Sequence, residues 1–222
     1  MLEALGIEHL GLFVLAGWLL NLTPGPDVLC IVSNALRGGM RSGLAAALGV
    51  TAGCFVHIVA AAVGVSALLA ASSAAFSVLK WVGAAYLLYA GVRLLFSNGP
   101  SQSAGLASQP DGVALGGKSV VEVFRQGFLT NALNPKVAVF FLAFVPQFIA
   151  PGAPNHALAF LLLGCIFNIN AIPVNMGFAA LASLAARRLD AVQRSMQWLD
   201  RMAGVMFIAF GLKLALTDHP AA

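Results

Sequence analysis

Hydrophobic residues fall along this chain in long continuous stretches instead of alternating with polar residues. Six stretches have about 20 residues or more, the length that an α-helix needs to cross the hydrocarbon core of a bilayer. The sequence therefore predicts six transmembrane helices, and the first, second and fifth are long enough to tilt or to contain a break. The predicted spans lie near residues 9–33, 44–70, 76–96, 126–149, 157–184 and 199–217.

The composition supports a polytopic membrane protein embedded in a lipid bilayer. Hydrophobic residues make up 60% of the chain and charged residues only 9%, whereas a soluble domain has about a quarter of its residues charged. A soluble enzyme, a nucleic-acid-binding domain and a secreted disulfide scaffold are excluded. Cys30, Cys54 and Cys165 stand far apart in apolar sequence, so we expect buried thiols without redox or metal chemistry. No cofactor is expected.

One polar linker, residues 97–121, divides the single transmembrane domain 1–222 into two halves. It is rich in Gly, Pro and Ser, as connecting segments are. The first half, 1–96, and the second half, 122–222, contain three predicted spans each. Because three is an odd number, the second half enters the membrane from the opposite side. The sequence thus predicts two inverted three-helix repeats.

Basic residues indicate the orientation of these spans. With six spans, nine lysines and arginines lie on one side, and the hairpins after the second and fourth spans contain none. The positive-inside rule places that side in the cytoplasm and both termini outside. The nine residues are Arg37, Arg41, Arg93, Lys118, Arg125, Arg187, Arg188, Arg194 and Arg201.

Two spans carry proline motifs that interrupt a helix. The first contains NLTPGPD and the fourth contains TNALNPK. Proline removes a backbone donor and disfavours helix in the preceding residue. A membrane tolerates such a break only where it is buried in protein or lines a polar cavity. Pro24 and Pro135 lie 111 residues apart (135 − 24), half the chain length, which indicates corresponding breaks at a transport site; two unrelated proline kinks are the alternative. The candidate substrate-binding residues are Asn21, Thr23, Pro24, Gly25, Pro26, Asp27, Asn131, Asn134, Pro135 and Lys136.

The charges beside these breaks need compensation, because an unpaired charge at the bilayer centre costs about 2.5–3.5 kcal/mol. Thr23 and Asn134 each precede a proline, so both are predicted to be N-caps of half-helices. Asp27 suits the positive end of its half-helix, whereas Lys136 requires an anion. That anion is either Asp27, in a fixed structural ion pair, or the carboxylate of a substrate. A zwitterionic amino acid would satisfy the whole set.

Three polar residues in the second and fifth spans have two interpretations each. Because histidine side chains can exchange protons near physiological pH, His57 either couples protons together with Asp27 or is a packed hydrogen-bonding residue. Asn168 and Asn175 lie seven residues apart on one helix face and either line the substrate path or form interhelical hydrogen bonds.

Gly49 and Gly53 form a GxxxG pair that predicts close helix packing.

Three runs of residues resemble the LysE/RhtB family of amino-acid exporters. They are TPGPD in the first span, GFLTNALNPKVAVFF followed by PQF in the fourth, and WVGAAYLLYAGVRLL at residues 81–95. The resemblance extends from about residue 10 to the end of the sixth span. It implies efflux of homoserine, threonine, leucine, lysine or related compounds across a bacterial inner membrane, driven by protons. The family's motif positions fall on Thr23, Pro24, Gly25, Pro26, Asp27, Asn134, Pro135 and Lys136.

The sequence therefore predicts a secondary active transporter, not an enzyme, with amino acids and protons as partners and a homodimer compatible with its small-residue helix faces. Efflux of a metal cation or other small ion is an alternative, although the spans offer only Asp27 and His57 as ligands. A membrane enzyme or an assembly subunit is a further alternative. An enzyme would need a nucleophile with a base, or a metal set.

Overall fold

The computed structural model describes residues 5–71, 118–150 and 152–184, together with scattered positions between 81 and 96 and between 201 and 212. Most of the predicted linker and most of the third and sixth predicted spans lie outside these described residues. The elements that carry both proline motifs are described in full.

The described elements are helices. They are α1 (Leu10–Leu22), α2 (Pro26–Ala71), α3 (Val120–Ala132), α4 (Pro135–Val139) and α5 (His156–Leu184). A π-helical turn (Phe140–Phe144) and a 3₁₀ turn (Val145–Phe148) continue α4. Within the described ranges, the only β-type pairing is an isolated bridge between Ile7 and Ile149.

By length and apolar composition alone, two described segments could cross a membrane: Pro26–Gly64, which is divided at Gly39, and His156–Leu184. A third span results if α3 and the segment Pro135–Phe148, bent by 44° at their junction, are counted together. The prediction of an all-helical membrane protein is confirmed at this level. The six-span inverted repeat stays a prediction.

Helix α2 folds back on itself at Gly39. The backbone there has φ 68° and ψ −167°, a conformation that favours glycine. A Cβ atom on Gly43 would lie 2.7 Å from the Cβ of Ala35, although eight residues of straight helix span about 12 Å. Residues 26–38 and 40–71 are therefore two helical arms that pack against each other next to Gly39. These arms correspond to the end of the first predicted span and to the second.

Glycines bring the second arm of α2 into backbone contact with α3. A side chain on Gly49 would meet the carbonyl oxygen of Phe124, and one on Gly53 would meet that of Phe128. From the opposite helix, a side chain on Gly127 would meet the carbonyl oxygen of Ala46. The close packing predicted from the GxxxG pair is confirmed, and it joins the first half of the chain to the second.

An aromatic core fixes α1, α4 and α5 relative to one another. The ring of Phe140 stacks on Phe144 with centroids 5.1 Å apart and lies 4.6 Å from the ring of Phe167 in α5. Phe13 of α1 meets Phe148 edge-on at 5.2 Å. These rings are almost fully buried, so this end of the bundle holds the two proline motifs in fixed relation.

Candidate functional site

Both proline motifs interrupt the helical path. The first break, residues 23–25, separates α1 from α2, and the second break, residues 133–134, separates α3 from α4. Side-chain hydrogen bonds join the two breaks.

The first break differs from its prediction. Thr23 is the C-cap of α1, and its hydroxyl donates to the carbonyl oxygen of Leu19 at 2.6 Å. Helix α2 begins at Pro26, and the Gly25 carbonyl accepts its first hydrogen bond, from the amide of Leu29 at 3.0 Å. The prediction that Thr23 is an N-cap was wrong. A residue that precedes proline avoids the helical region, so Gly25, which precedes Pro26, cannot belong to a helix starting at Pro24.

The second break matches its prediction. Asn134 is the N-cap of α4, and its side-chain oxygen accepts from the backbone amide of Lys136 at 3.0 Å. Pro135 occupies the first helical position, where its missing N–H has no consequence and its fixed φ suits the helix.

In both breaks a carbonyl oxygen loses its usual helical donor, because the residue four positions later is a proline without an N–H. Pro24 releases the carbonyl of Leu20, and Pro135 releases that of Asn131. The ammonium of Lys136 donates to Leu20 O at 3.1 Å and to Thr23 O at 2.9 Å. The Nε2 atom of His57 is 2.8 Å from Asn131 O. Both released carbonyls thus have a side-chain partner from another helix.

Lys136 is therefore compensated by the C-terminal end of α1, which is the negative end of that helix. The sequence argument considered only the half-helix that contains Lys136, and so it required an anion. The signal that could have identified the carbonyls was the position of Pro24, four residues after Leu20. Gly25 gives the lysine room, since a Cβ atom there would lie 3.3 Å from Nζ.

Asp27 is held by the opposite break. Its Oδ2 atom accepts from the Nδ2 of Asn131 at 3.0 Å and from the Nδ2 of Asn134 at 2.8 Å. The ammonium of Lys136 also acts electrostatically on this carboxylate. We call the two sets of contacts the crossed clasp: Asp27 on the amides of the second break, and Lys136 on the carbonyls of the first.

A cavity of about 30 Å³ lies against the crossed clasp. At roughly 10–15 Å³ for each water molecule, it has room for about two waters and is much smaller than an amino acid. Eight of the residues predicted from the sequence line it, seven with polar side chains and Gly25, and its apolar lining was not predicted. The predicted residues are Asn21, Thr23, Gly25, Asp27, Asn131, Lys136, Asn168 and Asn175; the other lining residues are Leu20, Val28, Val50, Cys54, Val137, Phe167 and Ala171.

The other predicted site residues act around the cavity without lining it. Asn134 binds Asp27, Pro24 and Pro135 release carbonyls, Pro26 begins α2, and His57 binds the backbone of Asn131.

Asn168 has features of both of its predicted roles, because it lines the cavity and its Nδ2 donates to the carbonyl of Thr51 at 3.1 Å. Among the described residues, no group of three or more His, Cys, Asp or Glu side chains has a geometry suited to a metal ion.

These features define a class: an all-helical membrane protein in which two interrupted helices meet at a polar cavity, as in transporters whose substrate sites lie between discontinuous helices. A family model described as LysE type translocator matches residues 18–218. The chain belongs to this family of translocators. It is a membrane transport protein and not an enzyme, as the sequence predicted.

Three relatives are similar along almost their whole lengths. A membrane protein of Vibrio cholerae without an assigned function is 34% identical over 91% of this chain and 94% of its own length. A homoserine/homoserine lactone efflux protein of Salmonella typhimurium is 31% identical over 93% and 96%. A leucine efflux protein of Salmonella choleraesuis is 25% identical over 97% and 98%. No solved structure gives a significant match.

Proposed function

We propose that the protein exports amino acids or close derivatives from the bacterial cytoplasm across the inner membrane. The two similar Salmonella proteins are named as efflux proteins for homoserine or its lactone and for leucine, which are substrates of this class. The observation that carries the proposal is the crossed clasp, which sets a carboxylate and an ammonium beside one cavity, each held by groups of the opposite half. An amino acid in its zwitterionic form is complementary to this pair of charges.

The substrate's carboxylate binds Lys136 in this proposal, and its ammonium binds Asp27. Because the cavity of about 30 Å³ is too small for the substrate, the breaks must separate to admit it. The clasp joins the two halves of the chain, so a substrate that replaces these contacts also loosens one half from the other. In this proposal the exchange of partners is the step that switches access between the two sides of the membrane, with two inverted three-helix repeats moving against each other. Both termini lie outside in the proposed topology, as the positive-inside rule predicts.

Proton antiport is the proposed source of energy. Asp27 is the proposed proton carrier, because its Oδ1 atom is buried without a partner among the described residues. A proton and a substrate ammonium would then compete for the same carboxylate. Outward movement of substrate would be linked to inward movement of the proton.

The first test is efflux from cells preloaded with amino acids by dipeptide feeding. We compare the wild type with Lys136→Met at equal surface expression, and use Lys118→Met as the control because Lys118 is exposed and bonds only Gln126 among the contacts described. Losing a charge-assisted hydrogen bond to the substrate should slow efflux about 10–100-fold. The control should stay near wild type.

Three outcomes separate the parts of this proposal. If no amino acid leaves wild-type cells faster than cells without the protein, amino-acid export is wrong. If Lys136→Met and Lys118→Met behave alike, the role of the clasp is wrong. If efflux continues unchanged after the proton gradient is collapsed, proton antiport is wrong while export stands.

A further inference from the structure

Three buried side-chain oxygens around the cavity have no hydrogen-bond donor among the described residues. They are Oδ1 of Asp27, Oδ1 of Asn131 and Oδ1 of Asn168, and all three residues line the cavity. Asn131 and Asn168 are each only 3% exposed. A buried acceptor without a donor costs free energy, so such groups in a native protein call for an explanation.

The orientation of both amides is dictated by their other contacts. The Nδ2 of Asn131 faces the carboxylate of Asp27, and the Nδ2 of Asn168 faces the carbonyl of Thr51. Carboxylates and carbonyls only accept hydrogen bonds, so the amide nitrogens must point to them. Rotating either amide would set two acceptors against each other. The two amide oxygens are therefore the atoms left without donors.

These three acceptors belong to three different elements, α2, α3 and α5. A group with three N–H donors and a positive charge, such as an alkylammonium, matches three oxygens of which one is ionised. The cavity also contains donors for an anion, namely Lys136 and the Nδ2 of Asn21, which is buried without a partner. A zwitterion satisfies both sets, whereas a bare metal cation satisfies only the oxygens and is repelled by Lys136.

We infer that Asp27, Asn131 and Asn168 form a subsite for the substrate's α-ammonium, and that Asn168 makes the protein select amines over hydroxyl analogues. This inference rests on the proposed function and adds a residue of α5 to the site. A hydroxyl in place of the ammonium offers one donor and no charge. It would leave at least two of the three oxygens without a donor.

The test is thermal stabilisation of the purified protein in detergent by two pairs of ligands. Homoserine is compared with 2,4-dihydroxybutanoate, and leucine with 2-hydroxy-4-methylpentanoate, so each pair differs only in the ammonium. For the pair that binds, the amine should stabilise the wild type at a concentration at least about tenfold lower than its hydroxy acid requires for the same stabilisation. This comparison uses only the wild-type protein and does not depend on whether a variant folds.

Two variants then assign the effect to Asn168. Asn168→Leu should reduce the preference for the amine about tenfold. Asn170→Leu is the matched control: Asn170 lies two residues away on α5 and also has a buried amide nitrogen without a partner, but it does not line the cavity. Its preference for the amine should equal that of the wild type.

Several results would overturn the ammonium subsite. One is equal stabilisation of the wild type by amine and hydroxy acid. Another is an equal change of the amine preference in Asn168→Leu and Asn170→Leu, which would mean that Asn168 only makes its structural contact with Thr51. Saturable stabilisation by sodium or potassium chloride that is lost in Asn168→Leu would indicate a metal cation. If none of the four ligands stabilises the protein, the subsite is wrong, and the cellular efflux assay decides separately whether the proposed function stands.

Discussion

The two helix breaks perform the same two tasks with different numbers of prolines. In the first break, Pro24 releases the carbonyl of Leu20 and Pro26 begins the next helix. In the second break, Pro135 does both, since it releases the carbonyl of Asn131 and begins α4. The first break consequently contains three residues outside helix and the second contains two.

Because of this difference, the sequence offset that relates the first half to the second depends on which feature of the breaks is compared. Measured by the released carbonyls, the offset is 111 residues (131 − 20); measured by the helix starts, it is 109 residues (135 − 26). The second offset places Asp27 and Lys136 at the same position, directly after the proline that begins each helix. The two charges are thus structural counterparts, a relation that the 111-residue spacing alone does not reveal.

The groups that the breaks offer are opposite in kind. The second break presents amide donors, from Asn131 and Asn134, to the carboxylate of Asp27. The first break presents carbonyl acceptors to the ammonium of Lys136. The position in the helix is repeated while the charge is reversed. Asp27 suits both its own helix start and the amides it faces, whereas Lys136 suits only the carbonyls it faces.

Exchanging the two charges is the most severe test of this comparison. In the double variant Asp27→Lys with Lys136→Asp, the introduced lysine would face amide donors and the introduced aspartate would face carbonyls. We expect each single variant and the double variant to lose about 3–5 kcal/mol of stability, as when a buried charge loses its partners, and to show no efflux. Melting in detergent measures the first effect and cellular efflux the second. Recovery of stability in the double variant would show that Asp27 and Lys136 act only as an ion pair.

Removing the polar side chain of Asn134 should have the next largest effect. Asn134→Ala deletes the cap of α4, worth about 1 kcal/mol, and a hydrogen bond to a charged group, worth about 1.5–3 kcal/mol. Together these predict a loss of about 2–4 kcal/mol in melting experiments. Asn134→Ser is the matched control, because serine caps well and its hydroxyl is too short to reach Asp27, so it should recover only the cap. If alanine and serine melt alike, the cap contributes nothing here.

Variants of His57 measure how much its hydrogen bond to the carbonyl of Asn131 contributes to stability. His57→Leu removes the donor to Asn131 O, which keeps its bond from the amide of Asn134 at 2.8 Å, so we expect a loss of about 1–2 kcal/mol. His57→Gln retains an N–H donor and should recover stability and efflux. If His57 carries protons, both variants should instead lose the dependence of efflux on the proton gradient.

Much of this architecture follows from local rules that a sequence expresses directly. Long apolar stretches predict helices in lipid, and Pro135 after Asn134 predicts a capped helix start, because these effects involve residues within a few positions of one another. The glycines at 49 and 53 predict close packing for the same reason. Cavity-lining residues at both breaks could be named because their polarity is costly inside a membrane.

The partners could not be predicted, because they depend on which helices become neighbours. Nothing in the sequence pairs Lys136 with the end of α1, or His57 with the end of α3. The N-cap assignment of Thr23 was wrong for a local reason, since the effect of Pro26 on Gly25 was not weighed against the pattern of threonine before proline. The offset that equates Asp27 with Lys136 followed only once the start of α2 was located.

Replacing Thr23 should cause the smallest loss of stability, and it tests most directly whether the two breaks are capped differently. If Thr23 capped a helix as Asn134 does, Thr23→Val would cost up to about 2 kcal/mol. In the structure its hydroxyl only adds a second donor to Leu19 O, which the backbone amide of Thr23 already reaches at 3.1 Å, and Lys136 binds its backbone carbonyl. We therefore expect Thr23→Val to lose less than about 1 kcal/mol in melting experiments and to retain efflux. A loss as large as that of Asn134→Ala would make the hydroxyl a helix cap in another state of the break, and the two breaks would then be equivalent after all.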